Sequence, residues 1–450
     1  MDKNWREGLA KKNDSVRGLE EREEGKVTQG KTTGNSSGEA HRYLHWNFFM
    51  GVIHGVFYKV GMAFSEPNMI LPLFLNTFTK SKTLIGLFGT LFQFSGAWPQ
   101  LLTAQKIQSI CRKKPLLIVM LVIRMASWGI LGLITYFYGA QHPGWILIIF
   151  LLLLSLFYLA GGVAGIPFFD IIAKAIPTNM RGRFWGIRQF LGGILAIGAG
   201  FAIKWILATP RLPFPKNYAV LFLLSFVFLG ISYLGLGSIR EPQNKNCPPR
   251  KSFNLFLKEA FQTLHKDKNF AQAIFTEILA GSLLLSLSFY VLYAKNVLKV
   301  EASMVGIFVA VQMLAGVLSN LVWGMLSDRI GNKSVIRGSL LFHLSIPFFA
   351  LVSGTGWMYM LVFFGIGFYM NGASIGFTNF MLEVAPEEKR PLYISLRGTL
   401  VAVVSFFPLF GGIFIDLFSF RTVFMAVLIV SILANIMASR LREPRRIVKI

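Results

Sequence analysis

The chain has 450 residues, of which 54% are hydrophobic and only 15% charged, with a formal net charge of +24. This composition excludes a water-soluble globule, because too little polar surface is available to cover a chain of this size. The apolar residues form runs of about twenty, the length that a helix needs to cross a hydrocarbon layer of about 30 Å. The sequence therefore predicts an all-α membrane protein.

An amino-terminal segment of mixed charge precedes the apolar runs. Residues 1–46 contain nine Lys or Arg and eight Asp or Glu, which is typical of a disordered tail. The runs that follow are continuously apolar and do not alternate with a period of two, which favours helices over a β-barrel. We predict twelve transmembrane helices with approximate cores at 47–69, 84–106, 116–138, 145–170, 184–208, 218–238, 269–293, 303–326, 335–353, 357–381, 392–418 and 422–439.

The positive charge is unevenly distributed between the connections. Twenty-four Lys or Arg residues lie in the alternate segments 106–115, 174–183, 240–268, 329–337, 389–390 and 440–449, against seven in the connections between them. This asymmetry predicts that both termini are cytoplasmic, and we place the chain in a plasma (inner) membrane. Since membrane topology accounts for the positive charge, the charge gives no evidence for nucleic-acid binding. Cys111 and Cys247 both fall on the cytoplasmic side, where no disulfide is expected.

The two halves of the chain repeat each other. Pro177, Arg181 and Arg188 recur 209 residues later as Pro386, Arg390 and Arg397, and the triplet 240–242 (Arg-Glu-Pro) recurs at 442–444. We predict two pseudo-symmetric six-helix bundles, 47–238 and 269–439, followed by a basic tail, 440–450. A cytoplasmic loop, 239–268, connects them, and apolar residues at helical spacing within 253–264 indicate an amphipathic helix on the inner leaflet.

A charged turn lies between the eighth and ninth runs. Residues 324–333 read Gly-Met-Leu-Ser-Asp-Arg-Ile-Gly-Asn-Lys, which resembles the G-x-L-x-D-R-x-G-x-K/R loop of the major facilitator superfamily of transporters. The resemblance covers about 44–444. It implies that the solute binds near the bilayer midplane between the two halves.

The resemblance also implies an inner gate in the second half. Asp328 and Arg397 match the residues that pair when such a transporter is outward-open, and Arg329 and Lys333 supply the basic part of the loop. Glu383 matches an acid that engages the basic partners of the loop, here Arg329 or Arg337. A charge-assisted cluster of this kind holds one state and must break for the other.

The first half departs from this pattern. Gln108 stands where Asp328 stands in the second half, and Lys174 stands where Glu383 stands. Arg188 therefore lacks its expected partner, and Asp170 is the nearby acid that remains. We expect an asymmetric gate in which the second half carries most of the latch.

Charged residues deep inside apolar helices are costly and are therefore candidates for solute or proton binding. Lys59 and Glu66 lie seven residues apart in the first run, on one face of a continuous helix, where they either neutralise each other or bind an anionic group and a proton separately. Arg124 has Trp128 one turn on, which also permits cation–π packing. Glu277 is an unpaired acid in the seventh run, and Asn371 either contacts solute or bonds to another helix.

We therefore predict a secondary active transporter that moves a small organic solute, anionic if Lys59 stays unneutralised, by proton-coupled alternating access. The alternatives are a facilitative uniporter and a transporter-like sensor that binds a solute without flux. We expect a monomer in the lipid bilayer, without cofactor or metal, and no enzyme, because the sequence has no phosphate-cradling loop, nucleophile triad or metal-ligand cluster.

Overall fold

The structure is a computed structural model that describes residues 42–108, 110, 112–241, 267–386 and 389–444. Helix is the regular secondary structure throughout these residues. The predicted amphipathic helix within 253–264 lies outside them. The α-helices are α1 (Leu44–Phe64), α2 (Ile70–Phe78), α3 (Lys82–Gln108), α4 (Lys114–Tyr138), α5 (Pro143–Ala175), α6 (Thr178–Ala208), α7 (Lys216–Ser238), α8 (Lys268–Ala280), α9 (Leu287–Asn296), α10 (Met304–Arg329), α11 (Asn332–Val352), α12 (Gly356–Val384), α13 (Arg390–Val401), α14 (Phe407–Leu417) and α15 (Phe420–Ser439).

Ten helical segments of the described residues are long and apolar enough to cross a membrane, which makes the chain a multi-pass membrane protein. Two of these segments are composite: α8 and α9 flank the 3₁₀ turn Gly281–Leu285, and α13 and α14 flank the 3₁₀ turn Ala402–Phe406. The helices α1 and α3 occupy the other two apolar runs. Large apolar side chains such as Trp205 and Leu234 are exposed on the outside of the bundle, as a lipid-facing surface requires.

The sequence predicted that the first apolar run forms one continuous helix, and this prediction is wrong. The helix α1 ends at Phe64, and Glu66 lies in the turn before α2. The reason is Pro67, which disfavours a helical backbone in the residue before it. The carboxylate of Glu66 then accepts hydrogen bonds from the backbone nitrogen (2.7 Å) and from Nδ2 (3.2 Å) of Asn68. Glu66 therefore does not share a helical face with Lys59.

The bundle has two ends, to which we give fixed names. The tail face is where α1 and α8 begin and α7 and α15 end, and it carries the loop between α10 and α11. The outer face is at the other end, where α2 meets α3 and α14 meets α15.

Candidate functional site

At the tail face, the same pair of hydrogen bonds closes each half. In the first half, Asn47 Nδ2 donates to the carbonyl oxygen of Arg240 (3.2 Å), and the Arg240 backbone nitrogen donates to Asn47 Oδ1 (2.9 Å). In the second half, Asn269 and Arg442 make the same exchange at 3.1 and 3.0 Å. Each exchange holds the segment after the last helix of a half against the start of the first helix of the same half.

The glutamate of each Arg-Glu-Pro triplet binds the start of a further helix. Glu241 accepts from the backbone nitrogens of Lys113 (3.3 Å) and Lys114 (3.0 Å), and Glu443 accepts from that of Lys333 (3.0 Å). Negative charge at a helix amino terminus is stabilising. From the sequence we used the triplets only as markers of the two halves and missed this role, although their repetition was the available signal.

The predicted latch residue Arg397 has a different partner in this structure. Its Nε and Nη2 donate to the two carboxylate oxygens of Glu277 at 2.8 and 2.6 Å, and its Nη1 donates to Thr378 Oγ1 (3.3 Å). Asp328 lies exposed in the last turn of α10. Glu277 was predicted to be an unpaired acid, and that prediction is wrong for this structure. Spacing along the sequence gave no sign of the contact, because α8 and α13 meet only in the folded chain.

Glu383 also bonds to a different loop residue. Asn332 Nδ2 donates to Glu383 Oε1 (2.8 Å), and Ser327 Oγ donates to Asn332 Oδ1 (2.7 Å). The sequence predicted Arg329 or Arg337 in this role. Asn332 takes it because it is buried at the first position of α11, whereas both arginines are exposed.

In the first half, Asp170, the nearby acid that the sequence left for Arg188, has two other partners. It pairs with Lys113 Nζ (3.1 Å) and Lys174 Nζ (2.7 Å), and Lys174 also pairs with Glu241 (3.3 Å). Lys174, which replaces the expected acid, thus joins two acids. The first half has an ionic cluster of its own at the tail face, with the charges arranged differently from those of the second half.

Aromatic rings surround the Arg188 guanidinium. Its Cζ lies 4.6 Å from the Trp185 ring centroid, 5.0 Å from that of Phe184 and 5.6 Å from that of Phe168. The side chain is buried, and among the described residues its Nη1 has no hydrogen-bond partner.

Lys59 and Glu66 do not neutralise each other. The ammonium of Lys59 lies 3.5 Å from the carbonyl oxygen of Gln189 in α6. Glu66 instead receives a long hydrogen bond (3.5 Å) from Gln312 Nε2 in α10, which belongs to the other half. The two groups therefore form no ion pair with each other in this structure.

Arg124 is buried in the first half between α1, α4, α5 and α7. Its Nη2 donates to Tyr58 Oη (3.2 Å), and its Cζ lies 4.3 Å from the Phe157 ring centroid and 5.7 Å from those of Tyr58 and Tyr233. The expected Trp128 packs against Phe157 instead. Within the described part of the chain, Nε of Arg124 and the Tyr233 hydroxyl have no hydrogen-bond partner.

Asn371 bonds to another helix. Its Nδ2 donates to the carbonyl oxygen of Gly316 (2.8 Å) and to Ser319 Oγ (3.0 Å), both in α10. The sequence left two roles open for Asn371, contact with the solute or a bond to another helix, and the structure contains the helix-to-helix bond.

The halves are joined at the outer face by a residue that the sequence analysis did not single out. Asp416, in the last turn of α14, accepts from the backbone nitrogens of Lys82 (2.9 Å) and Thr83 (2.8 Å) and from the hydroxyls of Ser81 (3.1 Å) and Thr83 (2.8 Å). The second half thus supplies the amino-terminal cap of α3 in the first. An isolated acid at the end of an apolar helix was the available signal.

Close helix contacts support this junction. A Cβ at Gly86 would lie against the carbonyl oxygen of Pro408, and one at Gly412 against that of Lys82. The helices α6 and α10 approach equally closely, since a Cβ at Gly200 would meet the backbone of Gly306. These glycines allow helices of opposite halves to touch through their backbones.

Comparison with known proteins agrees with this architecture. The family model described as Major Facilitator Superfamily matches residues 285–449. A multi-drug resistance efflux pump of Streptococcus pneumoniae, PmrA, is 30% identical over 128 residues, which cover 27% of this chain and 31% of that protein. The chain thus matches only about a third of the length of this curated relative.

Solved structures are similar over nearly the whole described fold. An inward-facing bacterial homologue of the iron transporter ferroportin has a TM-score of 0.64 at 14% identity, covering 87% of this chain and 98% of that one. A D-xylose-proton symporter has a TM-score of 0.63 at 12% identity, covering 89% and 99%. The family match is confined to residues 285–449, and these structural similarities show that the chain shares the fold of those proteins.

Proposed function

We propose that the protein is a secondary active transporter that moves a small organic solute across the membrane by alternating access. The observation that carries this proposal is the junction between the halves at the outer face, where Asp416 caps a helix of the opposite half. The ion pairs described at the tail face each join residues of one half, as Arg397 and Glu277 do. Contacts arranged in this way favour a state that is closed at the outer face and opens at the tail face.

The solute is anionic in this proposal. Lys59, Arg124 and Arg188 all belong to membrane-spanning helices of the first half, and none has a carboxylate within ion-pair distance among the described residues. An uncompensated positive charge inside a membrane is costly, and a carboxylate or phosphate on the solute would offset that cost. The transported molecules named for the similar structures differ from one another and therefore support transport but no particular solute.

Transport is proton-coupled in this proposal, and Glu66 is the candidate carrier. Its carboxyl group is buried in the turn between α1 and α2 and is linked across the halves to Gln312. Adding or removing a proton at this group would change a contact that alternating access has to break. The orientation proposed from the charge asymmetry places the tail face in the cytoplasm.

Flux into proteoliposomes tests the proposal. A thermal-shift screen of carboxylates and phosphates on the purified full chain would supply a ligand, whose labelled form would be offered to vesicles with and without a proton gradient. We expect saturable uptake that a protonophore reduces, and we expect Glu66→Gln to abolish that response while the ligand still binds. Uptake independent of the gradient would identify a uniporter, and binding without uptake would identify a sensor.

A further inference from the structure

A cavity of about 350 Å³ lies at the tail face, between the start of α11 and the segment after α15. Its lining includes Lys333, Ser334, Arg337, Arg442 and Glu443. Three cations and one anion leave this cavity with an excess of positive charge. It lies on the second half and is separate from the proposed solute site.

The two arginines of this cavity have free side chains. Within the described residues, the guanidinium groups of Arg337 and Arg442 make no hydrogen bond or ion pair, and both residues are exposed. The other charges are already engaged: Lys333 Nζ donates to the Ser439 carbonyl oxygen (2.9 Å), and Glu443 accepts from the Lys333 backbone nitrogen. Two guanidinium groups therefore remain for an anion from outside the chain.

The cavity opens where a lipid-facing surface begins. Leu341, one turn after Arg337 on the same face of α11, is 61% exposed, and Phe348 continues that face two turns further on. The neighbouring helix α15 is held to α11 by a hydrogen bond from Asn435 Nδ2 to the Leu340 carbonyl oxygen (2.9 Å), and its Ile436 is also exposed. An apolar surface with a cationic pocket at its end matches the two parts of a phospholipid.

We propose that this cavity binds the headgroup phosphate of an anionic phospholipid, whose acyl chains lie along α11 and α15. Guanidinium groups match phosphate oxygens in geometry and charge, and basic pockets between membrane helices at the cytoplasmic side bind such headgroups. The assignment does not depend on transport activity. The proposed orientation determines only the leaflet, which is the inner one.

The first half contains a natural control. Lys114 donates to the Ile239 carbonyl oxygen (2.8 Å) and Lys333 to that of Ser439 (2.9 Å), so in each half a lysine near the start of one helix binds the end of the last. By the spacing that places Gln108 where Asp328 stands, Leu117 stands where Arg337 stands. Arg240, the counterpart of Arg442, lies 4.2 Å from the Tyr43 ring centroid and is thus occupied. The symmetry-related position lacks both free guanidinium groups.

Native mass spectrometry of the full chain in detergent tests the proposal, with dioleoylphosphatidylglycerol and dioleoylphosphatidylcholine as probes. We expect phosphatidylglycerol to bind more tightly than phosphatidylcholine. We expect Arg337→Gln/Arg442→Gln to weaken the binding of phosphatidylglycerol at least about tenfold. The control Arg240→Gln should retain the wild-type affinity. Because neither guanidinium group makes a hydrogen bond or ion pair among the described residues, the double variant should fold. Arg337→Lys/Arg442→Lys, which retains the charges, is a second check.

Two results would overturn the proposal. One is equal affinity for the two lipids, or unchanged phosphatidylglycerol binding in the glutamine double variant. The other is displacement of the lipid by millimolar sn-glycerol 3-phosphate, which would assign the cavity to a soluble phosphate and not to a lipid.

Discussion

Arg397 is bound through two nitrogens by Glu277, so that an ion pair joins α8 to α13 within the second half. Family resemblance implies Asp328 as the partner of the same arginine in the outward-open state. One guanidinium therefore has two candidate carboxylates, and the one it binds distinguishes two conformations. Since Arg397 cannot bind both in the same bidentate geometry, exchange between them would accompany alternating access.

Glu277→Gln should shift the protein away from the state described here. The change removes the charge of the carboxylate, and losing hydrogen bonds to a charged group costs about 1.5–3 kcal/mol, a shift of about tenfold or more in the equilibrium. The readout is the labelling rate of Ser374→Cys, an exposed position of α12, in a background with both native cysteines replaced by serine. We expect slower labelling from the tail face.

Asp328→Asn is the matched control for this partner exchange. It removes the competing carboxylate, so labelling at position 374 should stay fast while transport slows strongly and folding remains intact. Equal labelling in wild type and Glu277→Gln would show that the ion pair does not determine the conformation.

How far the sequence predicts this gate depends on the distance between partners along the chain. The loop 324–333 and Arg397 could be singled out because their types and spacing form a pattern within one segment or repeat 209 residues apart. The partner Glu277 is 120 residues from Arg397 and is not part of the residue pattern that recurs between the halves. Sequence spacing alone cannot reveal which helix faces come together.

Asp416→Ala should loosen the outer face. Its carboxylate caps α3 from the other half, and loss of a cap costs about 0.5–2 kcal/mol. Thr90, which is buried and accepts from the Leu409 backbone nitrogen, should then become accessible as Thr90→Cys. We expect faster labelling from the outer face, measured with an impermeant thiol reagent.

Asp267→Ala is the control that removes a helix cap without touching the junction between the halves. Asp267 caps α8 by accepting from the Phe270 backbone nitrogen (2.9 Å) and also accepts from the Tyr393 hydroxyl (3.0 Å), and both donors belong to the second half. This change should lower stability without exposing position 90. If both variants expose it equally, general loosening and not the junction explains the effect.

Glu443→Gln should destabilise the second half by about 1 kcal/mol, because a charged acceptor is removed from the start of α11. Glu241→Gln should cost more, since Glu241 binds two backbone nitrogens and also pairs with Lys174. Thermal unfolding in detergent measures both. Glu301→Gln is the control, because that exposed carboxylate accepts, among the residues described, from the nearby Ser303 hydroxyl and from no backbone nitrogen. An equal loss in all three variants would contradict the proposed capping role.

The first half shows a second limit of sequence analysis. Aligning the halves placed Lys174 where Glu383 stands and left Asp170 as the nearby acid for Arg188, but Asp170 pairs with Lys113 and Lys174. In the first half, position 174 carries a lysine where an acid is expected, and Glu241, in the segment after α7, supplies a carboxylate that pairs with it. Pseudo-symmetry preserves a cluster as a whole while its individual residues exchange roles.

The orientation of the chain can be tested with introduced cysteines. Gln141 and Pro213 are exposed in connections at the outer face, and we expect Gln141→Cys and Pro213→Cys to react with impermeant thiol reagents added to sealed, right-side-out cells. The native Cys111 and Cys247 should not react under these conditions. Labelling of both native cysteines would reverse the orientation and move the proposed lipid cavity to the other leaflet.

Lys59→Met should weaken binding of the anionic solute by about 1.5–3 kcal/mol, roughly a ten- to hundredfold change in affinity. The reason is that, within the described part of the chain, the Lys59 ammonium makes one long contact to the Gln189 carbonyl oxygen and is not paired with Glu66, so its charge remains available. Binding of the ligand found by thermal shift would be measured by calorimetry. Expression should stay nearly normal, because removing this charge leaves no carboxylate unpaired.

Lys204→Met is the control for Lys59, since Lys204 is an exposed lysine of α6, and it should leave affinity unchanged. If Lys59→Met instead prevents folding and the further change Glu66→Gln restores it, the two residues form a structural pair in some other state of the cycle. The positive charge of the first half would then be partly cancelled during transport. A neutral or cationic solute would become the better assignment, and Arg124 would keep only a structural role, through its aromatic packing and its hydrogen bond to Tyr58.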